Sequence, residues 1–162
     1  KGVTRADIAW LTNAFSIGGS KCGALCCEAV LVKDAGLRRD FLQLMRVRGA
    51  LMSKARLAGV QYAALFEDGL YESIGKQAVA YARKIRRMLE DKGVEPHGKS
   101  PTNQQFFVFS DRQARHFAES GIKLEECFRL PGGRVVMRIC TAWSTTRAQF
   151  EALKAEIGKL PK

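Results

Sequence analysis

The sequence predicts an α/β protein, on three observations. Short β-rich runs alternate with long stretches whose apolar residues recur at helical spacing. The runs Phe106–Phe109, Cys127–Leu130 and Val135–Cys140 stand among helical patterns, so residues 70–162 can cover their own sheet as a compact α/β unit. Residues 1–69 hold two strand-like runs and their helices, too little to bury both faces of a parallel-type sheet, and so read as pieces of a larger one. At 162 residues and 46% hydrophobic content, the chain suffices for one domain with a core, or one domain and part of another.

Taken in order, Thr4 followed by Asp7 is a capping arrangement that opens a helix through about Leu11. Ala14–Val32 then reads as strand, Gly18-Gly19-Ser20-Lys21 turn, a second glycine and a β-branched strand, Ala29–Val32. The single cation of this stretch, Lys21, is hemmed in by Gly, Ser, Cys and Ala. A lysine between two buried strands loses hydration, and its amine can become a nucleophile that forms a Schiff base. The alternative is a lysine at a hairpin tip, with its stem on apolar neighbours and its ammonium in water. Spacing alone leaves both open, because Gly-Gly-Ser is also ordinary turn chemistry.

A break is expected at Asp34-Ala35-Gly36, then one long helical pattern over residues 37–66 with kinks at Gly49 and Gly59. A second helix runs from about Asp68 to Leu89. Ile74, Ala78, Tyr81, Ala82, Ile85 and Leu89 form its apolar stripe, and Arg83, Lys84, Arg86 and Arg87 its wet face. Residues 90–102, with Gly93, Pro96, Gly98 and Pro101, form a connector. Phe106–Phe109 is a strand, and Ser110–Ser120 a short helix opened by Ser110 and Gln113. A hairpin turns at Pro131-Gly132-Gly133, and Ser144–Leu160 is an amphipathic helix with Phe150, Leu153 and Ile157 inward.

The formal net charge of +11 raises nucleic acid as a partner. The excess is spread along the chain, with one dense patch at Arg38–Arg56 and no nucleic-acid signature, so nucleic acid is not expected. No run approaches the length that crosses a membrane and no signal peptide is seen, so no membrane partner is expected either. Five cysteines, an odd number without paired CxxC spacing, argue against a zinc site and a disulfide framework. Four of them sit in apolar, strand-like contexts, and a reducing, cytoplasmic compartment is the default.

Arg138 interrupts an otherwise apolar strand and shares a face with Val136 and Cys140. Its planar fork of donors suits an amino-acid carboxylate, or else an internal partner such as Glu126. His97 and His116 sit in polar settings, and neither has the surroundings of a catalytic base. Asn103-Gln104-Gln105 has side chains that can brace a loop or the small-domain interface, and it is assigned no chemistry.

Several strings in this order resemble the low-specificity threonine aldolase and β-eliminating lyase family of pyridoxal-phosphate enzymes. They are Asp7-Ile8-Ala9, Phe15–Lys21, Gly23-Ala24-Leu25 with Glu28-Ala29, Arg48–Leu51, Ala64–Tyr71, Ser100–Phe106 and Arg138–Trp143. The resemblance covers nearly the whole chain. It departs from the family at Ser16, where Tyr is frequent, and at Ser20, where Thr is.

The resemblance implies the C-terminal portion of a fold type I, aspartate aminotransferase-like protein. Residues 1–69 would be the end of the large cofactor-binding domain and residues 70–162 the small C-terminal α/β domain. It implies Lys21 as the internal aldimine with pyridoxal 5'-phosphate, Ser20 near the phosphate, and Arg48, Lys54 and Arg56 as further cofactor contacts. Arg138 would take the α-carboxylate of a small amino-acid substrate, and no metal is called for. The implied reaction is carbon–carbon cleavage of a threonine-like β-hydroxy-α-amino acid to glycine and an aldehyde. β-Elimination or transamination on the same fold is the alternative, as is a non-catalytic basic binding protein using the Arg38–Arg56 patch. A homo-oligomer is expected, together with an N-terminal half that carries the ring-stacking group, the pyridinium partner and the phosphate loop. Without that half the chain is expected to be inactive, with residues 1–40 its least stable part and apolar strand edges exposed there.

Overall fold

The computed structural model describes residues 2–161. The chain divides into two compact units, Lys1–Tyr71 and Glu72–Lys162. In the first, α1 (Arg5–Leu11) leads into β1 (Ala14–Gly18), a 3-10 turn (Ser20–Cys22), β2 (Glu28–Val32), α2 (Ala35–Val47) and α3 (Arg56–Phe66). The capping box at its start is complete. The Asp7 amide donates to Thr4 Oγ1 at 3.2 Å, and Asp7 Oδ2 accepts from the Thr4 amide at 2.8 Å.

β1 and β2 pair with each other antiparallel, from Ala14↔Val32 to Gly18↔Glu28. The strand–turn–strand reading of Ala14–Val32 is what these two strands form, a hairpin about the lysine turn. Two strands cannot enclose an apolar face. Val30 and Leu31 accordingly remain 50% and 41% exposed, as an unfinished sheet edge was expected to be.

The expected break at Asp34–Gly36 is instead the start of α2. Asp34 Oδ1 accepts from the Leu37 amide at 2.8 Å, and that cap outweighs the cost of a glycine in the first turn. The single kinked helix over residues 37–66 is two helices. Gly49, at φ +68°, adopts the left-handed conformation that ends α2. The Ala50 amide then reaches Met45 O at 2.8 Å and the Gly49 amide reaches Arg46 O at 3.1 Å. Gly59 lies inside α3 and breaks nothing.

α4 (Leu70–Asp91) follows a 3-10 turn at Glu67–Gly69 and begins in the first unit's last residues. The second unit continues with β3 (Glu95–Pro96), β4 (Gln104–Ser110), α5 (Asp111–Glu119), β5 (Glu125–Leu130), β6 (Arg134–Cys140) and α6 (Arg147–Gly158). Its sheet runs in the order β3-β4-β6-β5, every neighbour antiparallel. The two-residue period puts Phe107 and Phe109 of β4 on one face with Val135, Met137 and Ile139 of β6. These pack with Ile85 and Leu89 of α4, Phe117 of α5, and Phe150 and Ile157 of α6. The α4 stripe expected from sequence is therefore the helix's buried side, with Ala78, Ala82, Ile85 and Leu89 fully inside.

Arg86 departs from the wet face it was assigned. It is half-buried, pairs with Glu90 at 2.8 Å, and donates to Gln105 Oε1 at 3.2 Å. The cysteines also depart from expectation. Only Cys127 and Cys140 lie in strands, Cys127 and Cys26 are exposed, and all five thiols are free.

Candidate functional site

The Lys21 turn is built by the first unit. Gly19 O accepts from the Cys22 amide at 2.8 Å and the Ala24 amide at 3.0 Å, folding residues 19–24 into a tight loop. Gly23 completes it at φ +101°. A glycine is needed at position 19 for space. A Cβ there would lie 2.6 Å from both Ala24 Cβ and the Tyr62 hydroxyl, and 3.0 Å from Cys27 O.

Three side chains hold the loop from outside. Tyr62 Oη donates to Ile17 O at 2.7 Å and to Cys27 O at 3.3 Å. Tyr71 Oη donates to Gly18 O at 2.8 Å, and Gln61 Oε1 accepts from the Leu25 amide at 2.7 Å. Burial pushes the Tyr62 phenol above its ordinary pKa. It also pushes the Cys22 thiol up, against a bond with Tyr71 that lowers it, so this cysteine is held as a thiol beside the lysine.

Lys21 and Ser20 both have exposed side chains on this turn. Lys21 enters no salt bridge or hydrogen bond among the described residues. The strands on either side hold no buried residue, so the loss of hydration expected of a lysine between buried strands is not found, and Lys21 stands at a hairpin tip. A primary amine with an adjacent hydroxyl fits the aldehyde and phosphate of pyridoxal phosphate chemically. Arg48 is the C-cap of α2, Lys54 lies in the connector to α3, and Arg56 is the first residue of α3. All three are exposed. Arg56 precedes Tyr62 by about 9 Å of helix rise, so the basic segment and the lysine turn share the α3 scaffold.

Arg138 belongs to the second unit. It lies on the face of β6 opposite the core, with Val136 and Cys140 as the alternation predicts. Its NH2 group pairs with Glu125, the residue directly across the β5–β6 ladder. Its NH1 donates to Gln104 Oε1 at 3.1 Å, and its Nε is buried without a partner. The hydrogen bond to Glu125 holds the guanidinium more basic than usual. The internal partner is thus Glu125 rather than Glu126, which pairs with Arg129 at 2.9 Å. A bulge between Glu126 and Phe128 breaks the register beyond that point. The guanidinium remains 32% exposed on its side chain, and it keeps donors beyond the two in use.

The histidines take structural places. His97 is exposed and packs edge-on to Phe128, and His116 Nε2 lies 3.2 Å from Glu156 Oε2. No cluster of metal ligands occurs among the described residues, and none of their helices is long and apolar enough to cross a membrane. Sequence reasoning missed Tyr62, Gln61, Tyr71 and Glu125 as supports, since each acts through a partner remote in sequence or across a ladder, and it named Gln104 only as a brace.

No protein-family model matches this chain. The chain is 26% identical over 159 residues to the low-specificity L-threonine aldolase of Pseudomonas sp. (strain NCIMB 10558), covering 96% of this chain and 45% of that protein. The Leishmania major threonine aldolase structure superposes with a TM-score of 0.89 at 29% identity, covering 98% of this chain and 46% of that one. Sphingomonas wittichii serine palmitoyltransferase gives a TM-score of 0.55 at 13% identity, covering 83% of this chain and 37% of that one. Francisella tularensis 8-amino-7-oxononanoate synthase gives 0.55 at 16%, covering 83% and 41%. These last two speak to the fold alone. The chain spans about half the length of the relatives it matches, and the matched part is their C-terminal half. Its fold is that of the C-terminal portion of a fold type I pyridoxal-phosphate enzyme.

Proposed function

We propose that this chain is the C-terminal half of a pyridoxal-phosphate-dependent carbon–carbon lyase. It would cleave a threonine-like β-hydroxy-α-amino acid to glycine and an aldehyde. The observation that carries this reading is a TM-score of 0.89 to a threonine aldolase across 98% of the chain, with Lys21 free on a fixed turn. Residues 1–69 end the cofactor-binding domain and residues 70–162 form the small domain. The free cysteines suit a reducing, cytoplasmic compartment.

In this reading Lys21 Nζ holds the cofactor covalently and later moves a proton at the substrate's Cα. The Ser20 hydroxyl donates to the cofactor phosphate, and Arg48, Lys54 and Arg56 add positive charge toward it. Arg138 fixes the substrate by its α-carboxylate, so that the bond to be broken is held in one orientation. Pyridoxal phosphate, when bound, supplies the electron sink for the cleaved bond. The remaining contacts come from the N-terminal half and from a second subunit of a homo-oligomer.

The test is the full-length protein with pyridoxal phosphate and L-threonine. Glycine and acetaldehyde in equal amounts are expected, with turnover abolished by Lys21→Ala. Ammonia with a keto acid would assign β-elimination instead, and a cofactor left as its amine would assign transamination. Absence of a visible cofactor band, with salt-sensitive retention on nucleic acid, would make it a basic binding protein.

A further inference from the structure

The loop that carries Lys21 is closed by a helix rather than by its own strands. Ladder pairing stops at Gly18↔Glu28, and residues 19–27 lie beyond it. At the two mouths of that loop, Ile17 O and Cys27 O both accept from one group, the Tyr62 hydroxyl, at 2.7 and 3.3 Å. We infer that Tyr62, assisted by Gln61 and Tyr71, is the positioning residue that sets where the Lys21 amine stands. This rests on the reading of Lys21 as the lysine that binds pyridoxal phosphate.

The geometry leaves the clasp little freedom. Gln61 is itself fixed, its Nε2 donating to Leu57 O at 2.9 Å while its Oε1 takes the Leu25 amide. The phenol rings of Tyr62 and Tyr71 both pack against Phe66, with centroids 5.8 and 5.3 Å away. Tyr62 is only 8% exposed. Its raised pKa keeps the hydroxyl a donor well past neutral pH. Gly19 completes the fit, because any larger residue would occupy the Tyr62 hydroxyl's own place.

The functional demand follows from the length of a lysine side chain. Its long flexible stem reaches one carbonyl carbon reproducibly only if its Cα is held, and orientation is worth orders of magnitude in rate. Bonds from α3 to both mouths of the loop hold it. Released from them, residues 19–27 keep the two amide bonds to Gly19 O named above and the bond of Cys22 with Tyr71.

The test uses the full-length protein, pyridoxal phosphate and borohydride, followed by peptide mass analysis. Lys21 Nζ adds to the aldehyde carbon with loss of water, and borohydride delivers hydride to that carbon, leaving a stable pyridoxyl-lysine. The wild type should carry the label chiefly at Lys21. Tyr62→Phe should lower the Lys21 share relative to the other lysines by roughly ten-fold, and shift the pH of half-maximal labelling. Tyr71→Phe, which removes the bonds to Gly18 O and to Cys22, should lower it as well. Phe41→Leu, in α2 of the same unit and bonded to no part of the loop, should leave the share unchanged even if it lowers thermal stability. If Tyr62→Phe fails to fold, Tyr71→Phe and Gln61→Leu decide the matter by the same measurement. An unchanged Lys21 share in these variants, in a wild type that does label at Lys21, overturns the inference. A wild type that does not label at Lys21 overturns the reading of the lysine itself.

Discussion

Gln105 is fully buried, yet its amide makes three hydrogen bonds, and replacing it with leucine tests how the second unit is braced. Nε2 donates to Ser100 O at 3.2 Å and to Thr102 O at 2.8 Å, while Oε1 accepts from Arg86 NH1 at 3.2 Å. Gln105→Leu keeps nearly the same volume but strands all three partners. A buried polar group left unsatisfied costs about 1–3 kcal/mol. The sum must be discounted. Thr102 is exposed and its carbonyl can turn to water, and Arg86 keeps its pair with Glu90. A net loss of about 2–3 kcal/mol remains.

Because the chain holds two compact units, a single melting curve would mix their transitions. Hydrogen exchange at the β4 amides of Phe107 and Phe109 isolates the second unit, and protection there should fall roughly thirty- to 160-fold. Gln104→Leu is the matched control, its side chain lying on the opposite face of β4 against Arg138. Its effect on β4 exchange should stay within about three-fold. If Gln105→Leu also stays within that range, the amide is not what fixes the loop from Ser100 to Thr102, and this account of the brace is wrong.

Two further outcomes can be checked. In the full-length protein, Arg138→Ala should weaken amino-acid binding about ten- to hundred-fold while leaving the cofactor's visible band in place, because its side-chain partners among the described residues are Gln104 and Glu125. Normal binding, or loss of the cofactor, would remove Arg138 from the carboxylate role. The third outcome is a pH dependence at the contact of α5 with α6. Hydrogen bonds from Lys159 and Ser120 hold the Glu156 carboxyl below its ordinary pKa in the folded state. Its contribution is therefore complete above the ordinary carboxylate range and is lost as pH falls through and below it. Exchange protection in α6 should decline on acidification, and Glu156→Gln should flatten that decline. An equal slope in both proteins would assign the acid sensitivity elsewhere.

The parts of the fold that could be read from sequence are those decided within one turn of helix or one period of strand. The Thr4–Asp7 and Ser110–Gln113 boxes form as spaced, each being a contact three residues long. The last helix shows the limit. Ser144 looked like its start, but Thr146 with Gln149 makes the working box two residues later. Gly49 and Gly59 are identical as letters. One ends a helix and the other sits inside one, because the connector of residues 48–55 needs a left-handed residue only at the first.

The candidate site divides along the same line. Lys21 and Arg138 stand out in sequence because each is a lone cation among small or apolar neighbours, a local anomaly. What makes either of them usable is remote. Tyr62 meets Ile17 and Cys27 across 45 and 35 positions, and Gln104 meets Arg138 across 34. Nothing near Tyr62 in the chain distinguishes it from a core aromatic. Its role comes from the hydroxyl alone, delivered where two strands stop pairing. The reactive side chain of a site is thus the residue that breaks its local pattern. Its positioning residue conforms to the pattern around it and shows itself only once the fold brings the two together.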